Sequence, residues 1–241
     1  LRLGMANFTN HIIMTTVNIV MNNTLKHYGA LSVFGSDIPL AVSGVVAKLN
    51  TILSAFAVGL AQGCQPILGF NIGAKNYGRV KETYKKAFVF TVTISVVFFL
   101  AFQLFPRQIV SIFGGGNESY FLFAVRYMRI FMMMVCVYGI QPLSVNYFTA
   151  TGKAKQGIVL SVSRQGAFLL PLLIILPMIF GIEGVLYAGP TADTFAVLLS
   201  VFLVFHDFRK MSKIMNKNNI KHLLEICPPP SMATGKKNYG T

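Results

Sequence analysis

The sequence predicts an all-α integral membrane protein with about six transmembrane helices, and three observations carry that reading. Hydrophobic residues make up 54% of the 241 residues and charged residues only 12%. The apolar residues gather in runs at 15–20, 41–61, 87–105, 130–140, 168–180 and 185–205, several of them near the roughly 20 residues that a bilayer span requires. The short alternating strands of a membrane barrel are absent from the sequence. Because unpaired backbone groups are costly in hydrocarbon, each run should close its own hydrogen bonds as a helix.

The helices are placed at about 4–25, 37–72, 82–105, 119–150, 155–179 and 183–208, with the second and fourth longer than a span and so tilted or projecting into water. At 100° per residue the first carries Asn7, His11, Asn18 and Asn22 within about 60° of one another, a polar stripe that should face a partner helix or a water-filled cavity. Interhelical hydrogen bonding and a substrate-facing role both fit this stripe, and His11 is a candidate proton carrier. The second helix repeats small residues at Ala55, Gly59, Gly63, Gly69 and Gly73, which predicts a close helix contact. Gln62 and Gln65, beside Pro66, are candidate cavity residues, and Gln141, Pro142 and Asn146 repeat that arrangement on the fourth helix.

The fifth and sixth helices hold the residues that packing alone explains least. Arg164, followed by Gln165, should lie about 13 Å from the basic end of its helix and Asp193 about 20 Å from that of its own. An unpaired charge near the bilayer centre costs at least about 2.5 kcal/mol, so an ion pair or a hydrated cavity is expected. A structural pair, an ion-coupled or substrate-gating carboxylate, and two separate water-facing charges are the three readings of these residues.

Breaks between helices hold turn chemistry at Tyr28-Gly29, Asn76-Tyr77-Gly78, Gly114-Gly115-Gly116-Asn117, Thr151-Gly152 and Gly181. One set of connections contains Arg2, then Lys75, Arg79, Lys81, Lys85 and Lys86, then Lys153 and Lys155, then Arg209, Lys210 and Lys213, whereas the alternate set holds Lys26 and Arg107. Excess Lys and Arg mark cytoplasmic loops, so both ends of the six-helix unit are expected in the cytoplasm, in a multi-pass cell-membrane protein. The net charge of +14 is therefore read as membrane-surface charge, and no nucleic-acid partner is expected. Cys64, Cys136 and Cys227 lack metal or redox spacing and read as small hydrophobes. Residues 211–241, basic and interrupted by Pro228-Pro229-Pro230, are expected to form a mostly disordered cytoplasmic tail after a membrane unit over 1–210. No hydrolase or nucleotide signature is present, so neither enzyme activity, a metal nor a bound cofactor is expected. The chain opens without Met directly into a helical pattern, which predicts a part of a longer protein.

The segment AVGLAQGCQPILGFNIGAKNYGRV at 57–80 resembles the helix-to-cytoplasmic-loop segment of the multidrug and toxic-compound extrusion (MATE) transporters. Ser163-Arg164-Gln165-Gly166 with Leu169-Leu170-Pro171 resembles a later helix of the staphylococcal-type multidrug branch, and Pro190-Thr191-Ala192-Asp193 resembles the final helix. The resemblance covers about residues 1–210 and matches the C-terminal lobe. It implies one six-helix lobe of a twelve-helix inverted V, paired with an N-terminal six-helix lobe. Export of cationic amphipathic drugs by alternating access, driven by H⁺ or Na⁺ as coupling ion, follows from the same resemblance. The first and fourth helices carry no mid-membrane Asp or Glu, unlike some other branches, which leaves Asp193 as the deep carboxylate. A membrane scaffold that binds a partner, or an inactive fragment, is the alternative.

Overall fold

The computed structural model describes the backbone of residues 2–226 and the side chains of 11–216; Cys227, the proline run and the Asn7 side chain lie outside these described residues. Ten α-helices and one π-helical segment form the described part, with no strand among the described residues. In chain order they are α1 (Arg2–Ala30), α2 (Asp37–Gly73), α3 (Tyr77–Leu104), α4 (Pro106–Phe113), α5 (Glu118–Phe131), α6 (Val135–Tyr138) and α7 (Ile140–Ala150). Then follow α8 (Ala154–Val162), the π segment Ser163–Leu169, α9 (Leu170–Phe180) and α10 (Ile182–Ile226).

Among the described residues, four continuous helical rods are long and apolar enough to cross a membrane: Asp37–Gly73, Tyr77–Leu104, Ala154–Phe180 and Ile182–Asn216. Glu118–Phe131 and Val135–Ala150 make a fifth if the pair, bent by 42°, is one span. The polar stripe of α1 keeps that 29-residue helix off this list, so six long rods are present but a six-span count is not reached on hydropathy.

Several expected boundaries move, each for a local reason. α1 continues to Ala30, and the chain turns at 31–36 with Gly35 at φ 70°, not at Tyr28-Gly29. α3 begins five residues earlier than expected because the Asn76 side chain accepts the Arg79 amide at 3.4 Å, capping the helix ahead of the basic run. The single helix expected at 119–150 is broken. It bends by 42° at residues 132–134 and yields a second time at Gly139, where Pro142 has no amide to offer the Tyr138 carbonyl one turn back. Pro171 has the same effect on the fifth rod, where the ladder widens so that the Leu170 amide donates to the Gln165 carbonyl five residues back. α10 runs past the expected end at 208 to Ile226.

The glycine face of α2 is also a correction. Nothing lies within 4 Å of a side chain built at Gly59, Gly63 or Gly73, and Gly69 meets only the Ala150 carbonyl at 3.7 Å. That face points away from the bundle, whose close approaches instead occur at Gly139 against Thr91 and at Gly189 against Phe131.

Two apolar clusters hold the rods together. One gathers Leu25, Val46, Leu53, Phe123, Met128, Leu173 and Leu186 from α1, α2, α5, α9 and the start of α10. The other gathers Leu68, Tyr84, Tyr147, Phe148, Leu160 and Met211 toward the opposite end. In the second, Tyr84, Tyr147 and Phe208 stack edge to face with centroids 5.1–5.7 Å apart, which adds directional packing to the area they bury.

Candidate functional site

The interrupted rods leave a cavity of about 270 Å³ walled by α1, α2, α5, α6, the π segment and α10. Asn18 enters it from α1; Asn50, Thr51 and Ser54 from α2; Tyr127 and Tyr138 from α5 and α6; Arg164 and Gln165 from the π segment; Asp193 from α10. Both Arg164 and Gln165 reach the cavity from the π segment, two consecutive side chains on one wall.

Arg164 Nε donates to Asp193 Oδ1 at 2.7 Å, with side chains 17% and 15% exposed. The guanidinium carbon also sits 4.7 Å from the Tyr138 ring centroid, a cation–π contact. Ser54 Oγ donates to the Asn50 carbonyl at 2.7 Å, so Tyr138 Oη, also 2.7 Å from Ser54 Oγ, is the donor to it. This chain of contacts fixes the guanidinium between a carboxylate and an aromatic face.

Two polar atoms on the wall are left over. Tyr127 Oη and Gln165 Oε1 are buried without a hydrogen-bond partner among the described residues. Each unmade bond costs about 1–3 kcal/mol, so a water, ion or ligand group that supplies an acceptor to Tyr127 and a donor to Gln165 is favoured there.

The structure brings Asn18, Arg164, Gln165 and Asp193 together. Among the described residues, it does not bring the other sequence candidates to this cavity. His11 is exposed on a shallow surface depression with Ile12, Thr15 and Thr16. Gln62 is exposed and Gln65 half-buried on the outward part of α2. Gln141 Nε2 donates to the Leu160 carbonyl at 3.3 Å, tying α7 to α8, and Asn146 Nδ2 donates to the Pro142 carbonyl of its own helix at 3.0 Å.

Sequence reasoning missed Asn50, Ser54, Tyr127 and Tyr138. Asn50 was the visible signal, an amide inside the apolar run 41–61. It also missed a second buried carboxylate, Asp207, 3% exposed. Asp207 accepts from Tyr147 Oη at 2.7 Å and pairs with Lys153 at the α7–α8 turn.

Comparison with known proteins agrees with this architecture. The chain is 25% identical over 204 residues to the multidrug export protein MepA of Staphylococcus aureus (strain MSSA476), covering 85% of this chain and 43% of that protein. It is 24% identical over the same length to MepA of Staphylococcus haemolyticus (strain JCSC1435), again at 85% and 43% coverage. Among solved structures, the MATE multidrug transporter DinF-BH, solved as a ligand complex, superposes with a TM-score of 0.71 at 33% identity, over 85% of this chain and 44% of that one. A MOP superfamily transporter from Pyrococcus furiosus superposes with a TM-score of 0.78 at 13% identity, over 88% and 46%, which is a likeness of fold. The chain thus spans about half the length of the curated relatives it matches, the extent of one lobe. The family model described as MatE matches residues 8–175, more than half of the chain, and the protein belongs to the MATE transporter family.

Proposed function

We propose that this chain acts as the C-terminal six-helix lobe of a cation-coupled antiporter that exports cationic amphipathic drugs by alternating access. The observation that carries the proposal is the Arg164–Asp193 pair on the wall of the 270 Å³ cavity. H⁺, Na⁺ or a drug cation arriving at Asp193 competes with Arg164 for the same carboxylate. A ligand drives a transition only through different affinities for its two states. A pair made in one state and opened in the other supplies that difference. The N-terminal lobe faces this one across the substrate path, the Lys- and Arg-rich connections and both ends of this segment face the cytoplasm, and α1 completes the six spans.

Drug efflux from vesicles, measured in a twelve-helix protein carrying this lobe under separately imposed Na⁺ and H⁺ gradients, tests the reading. Efflux should follow one of the two gradients and fall at least about ten-fold in Asp193→Asn, a loss of roughly 1.4 kcal/mol or more of coupling. Efflux indifferent to both gradients, or unchanged in Asp193→Asn, overturns it.

A further inference from the structure

Away from the cavity, at the end of the bundle opposite the 75–86 turn, a second groove of about 330 Å³ lies where α3 hands over to α4 and α5. Its wall includes Leu104, Arg107, Phe121, Leu122, Val125 and Arg129. Arg107 is half satisfied: Nη2 donates to Glu118 at 2.9 Å, its guanidinium lies 5.2 Å from the Phe121 ring centroid, and its side chain is 59% exposed. Arg129 is exposed and has no acidic partner among the described residues, although Arg126, one turn earlier, pairs with Glu183 at 2.5 Å. Two guanidiniums against one carboxylate leave the groove with an excess positive charge.

Its position makes that charge informative. Gln103 Nε2 donates to the Arg129 carbonyl at 3.0 Å, which sets Arg129 level with the last turn of α3. α3 spans 28 residues, about 42 Å, so its two ends reach the two faces of a bilayer whose hydrocarbon core is about 30 Å thick. Arg129 therefore stands at the headgroup level of one leaflet. Beside it Leu104 and Leu122 are 65% and 64% exposed, an apolar border suited to acyl chains. Arginine grips phosphate oxygens through two parallel N–H donors, and near a membrane surface each basic side chain gains about 1 kcal/mol from anionic lipid.

We infer that this groove binds a membrane phospholipid, with its phosphate between Arg107 and Arg129 and an acyl chain along Leu104, Leu122 and Val125. The site would hold a lipid at the joint between α3, the short α4 and α5.

The chain in nanodiscs, probed with phosphatidylglycerol bearing a photoactivatable acyl chain and, separately, with diacylglycerol bearing the same chain, tests this. Cross-links mapped by mass spectrometry should fall within 104–108 and 121–129 and be about five-fold stronger for the phospholipid, the gain expected of one recovered guanidinium–phosphate contact. Arg107→Gln with Arg129→Gln should lower them to the diacylglycerol level, and Arg129→Lys should keep most of them. Equal labelling by both lipids, or labelling undiminished in the double variant, overturns the inference. In the unsubstituted chain, excess unlabelled phosphatidylglycerol should displace the probe and inorganic phosphate should not. Displacement by inorganic phosphate would instead assign the groove to a soluble oxyanion.

Discussion

Asp193→Asn is the substitution whose cost the structure specifies most fully. At 2.7 Å the gross attraction of two unit charges is about 6 kcal/mol at an effective dielectric of about 20. Most of that is offset by the water both groups gave up on burial. What remains after Asp193 alone is neutralised is Arg164, 17% exposed, with no other counter-charge among the described residues of the cavity wall and Tyr138 beneath it. Breaking a buried pair in this way costs about 3–5 kcal/mol. Replacing both partners, Arg164→Gln with Asp193→Asn, removes the stranded charge and should recover at least about half of that loss, a coupling of roughly 2–3 kcal/mol across the cycle. Unfolding of the four variants in one detergent, followed by circular dichroism, measures it. Losses that simply add would refute the argument that the two charges stabilise each other. If stability is recovered in the double variant of the twelve-helix protein but efflux is not, Asp193 acts beyond the pair.

Five other outcomes follow from named positions. Gly189→Ala forces its new carbon to within 2.5 Å of the Phe131 ring and should cost about 1–3 kcal/mol, with Phe131→Leu relieving it in a melting assay. Gly63→Leu should leave the melting profile of this chain within about 0.5 kcal/mol of the original, since nothing stands within 4 Å of that position. Lys75 holds a left-handed backbone at φ 56°, so Lys75→Gly should raise stability by up to about 1 kcal/mol in the same assay. Asp207→Ala strands the Tyr147 hydroxyl and frees Lys153, for a loss of about 2–3 kcal/mol by denaturant titration. Lys153→Gln should cost less, because that side chain is already 37% exposed.

The long apolar runs around α2, α3 and α10 made the helical membrane fold legible, and Arg164 with Asp193 stood out because lone charges in such runs demand a partner. The break between α5 and α7 was harder to read. Pro142 is a local signal for the yield at Gly139, where packing against α3 settles the outcome, but the 42° bend at residues 132–134 falls on methionines, with no proline or glycine to mark it. The glycines of α2 misled for a related reason: spacing gives the face they share but not what that face meets. Asn50, Tyr127 and Tyr138 stayed hidden because the cavity is assembled from six elements distant in sequence, and each of these residues alone is compatible with ordinary packing. Asp207 was masked by the basic residues after it, which marked a membrane end and not a buried carboxylate.

Asp193 and Asp207 ride on one helix, α10, with no proline between them. Fourteen residues separate them, about 21 Å along a stiff rod. The first is held by the π segment and the second by the α7–α8 turn. The helix is thus a lever pinned at two points, and a pivot of about 10° at either one sweeps the other by roughly 3–4 Å, more than a hydrogen bond can stretch. A rigid tilt about one clasp therefore opens the other and leaves the pivot closed. A slide of α10 along its own axis, by contrast, displaces both carboxylates equally and loads the two clasps at once.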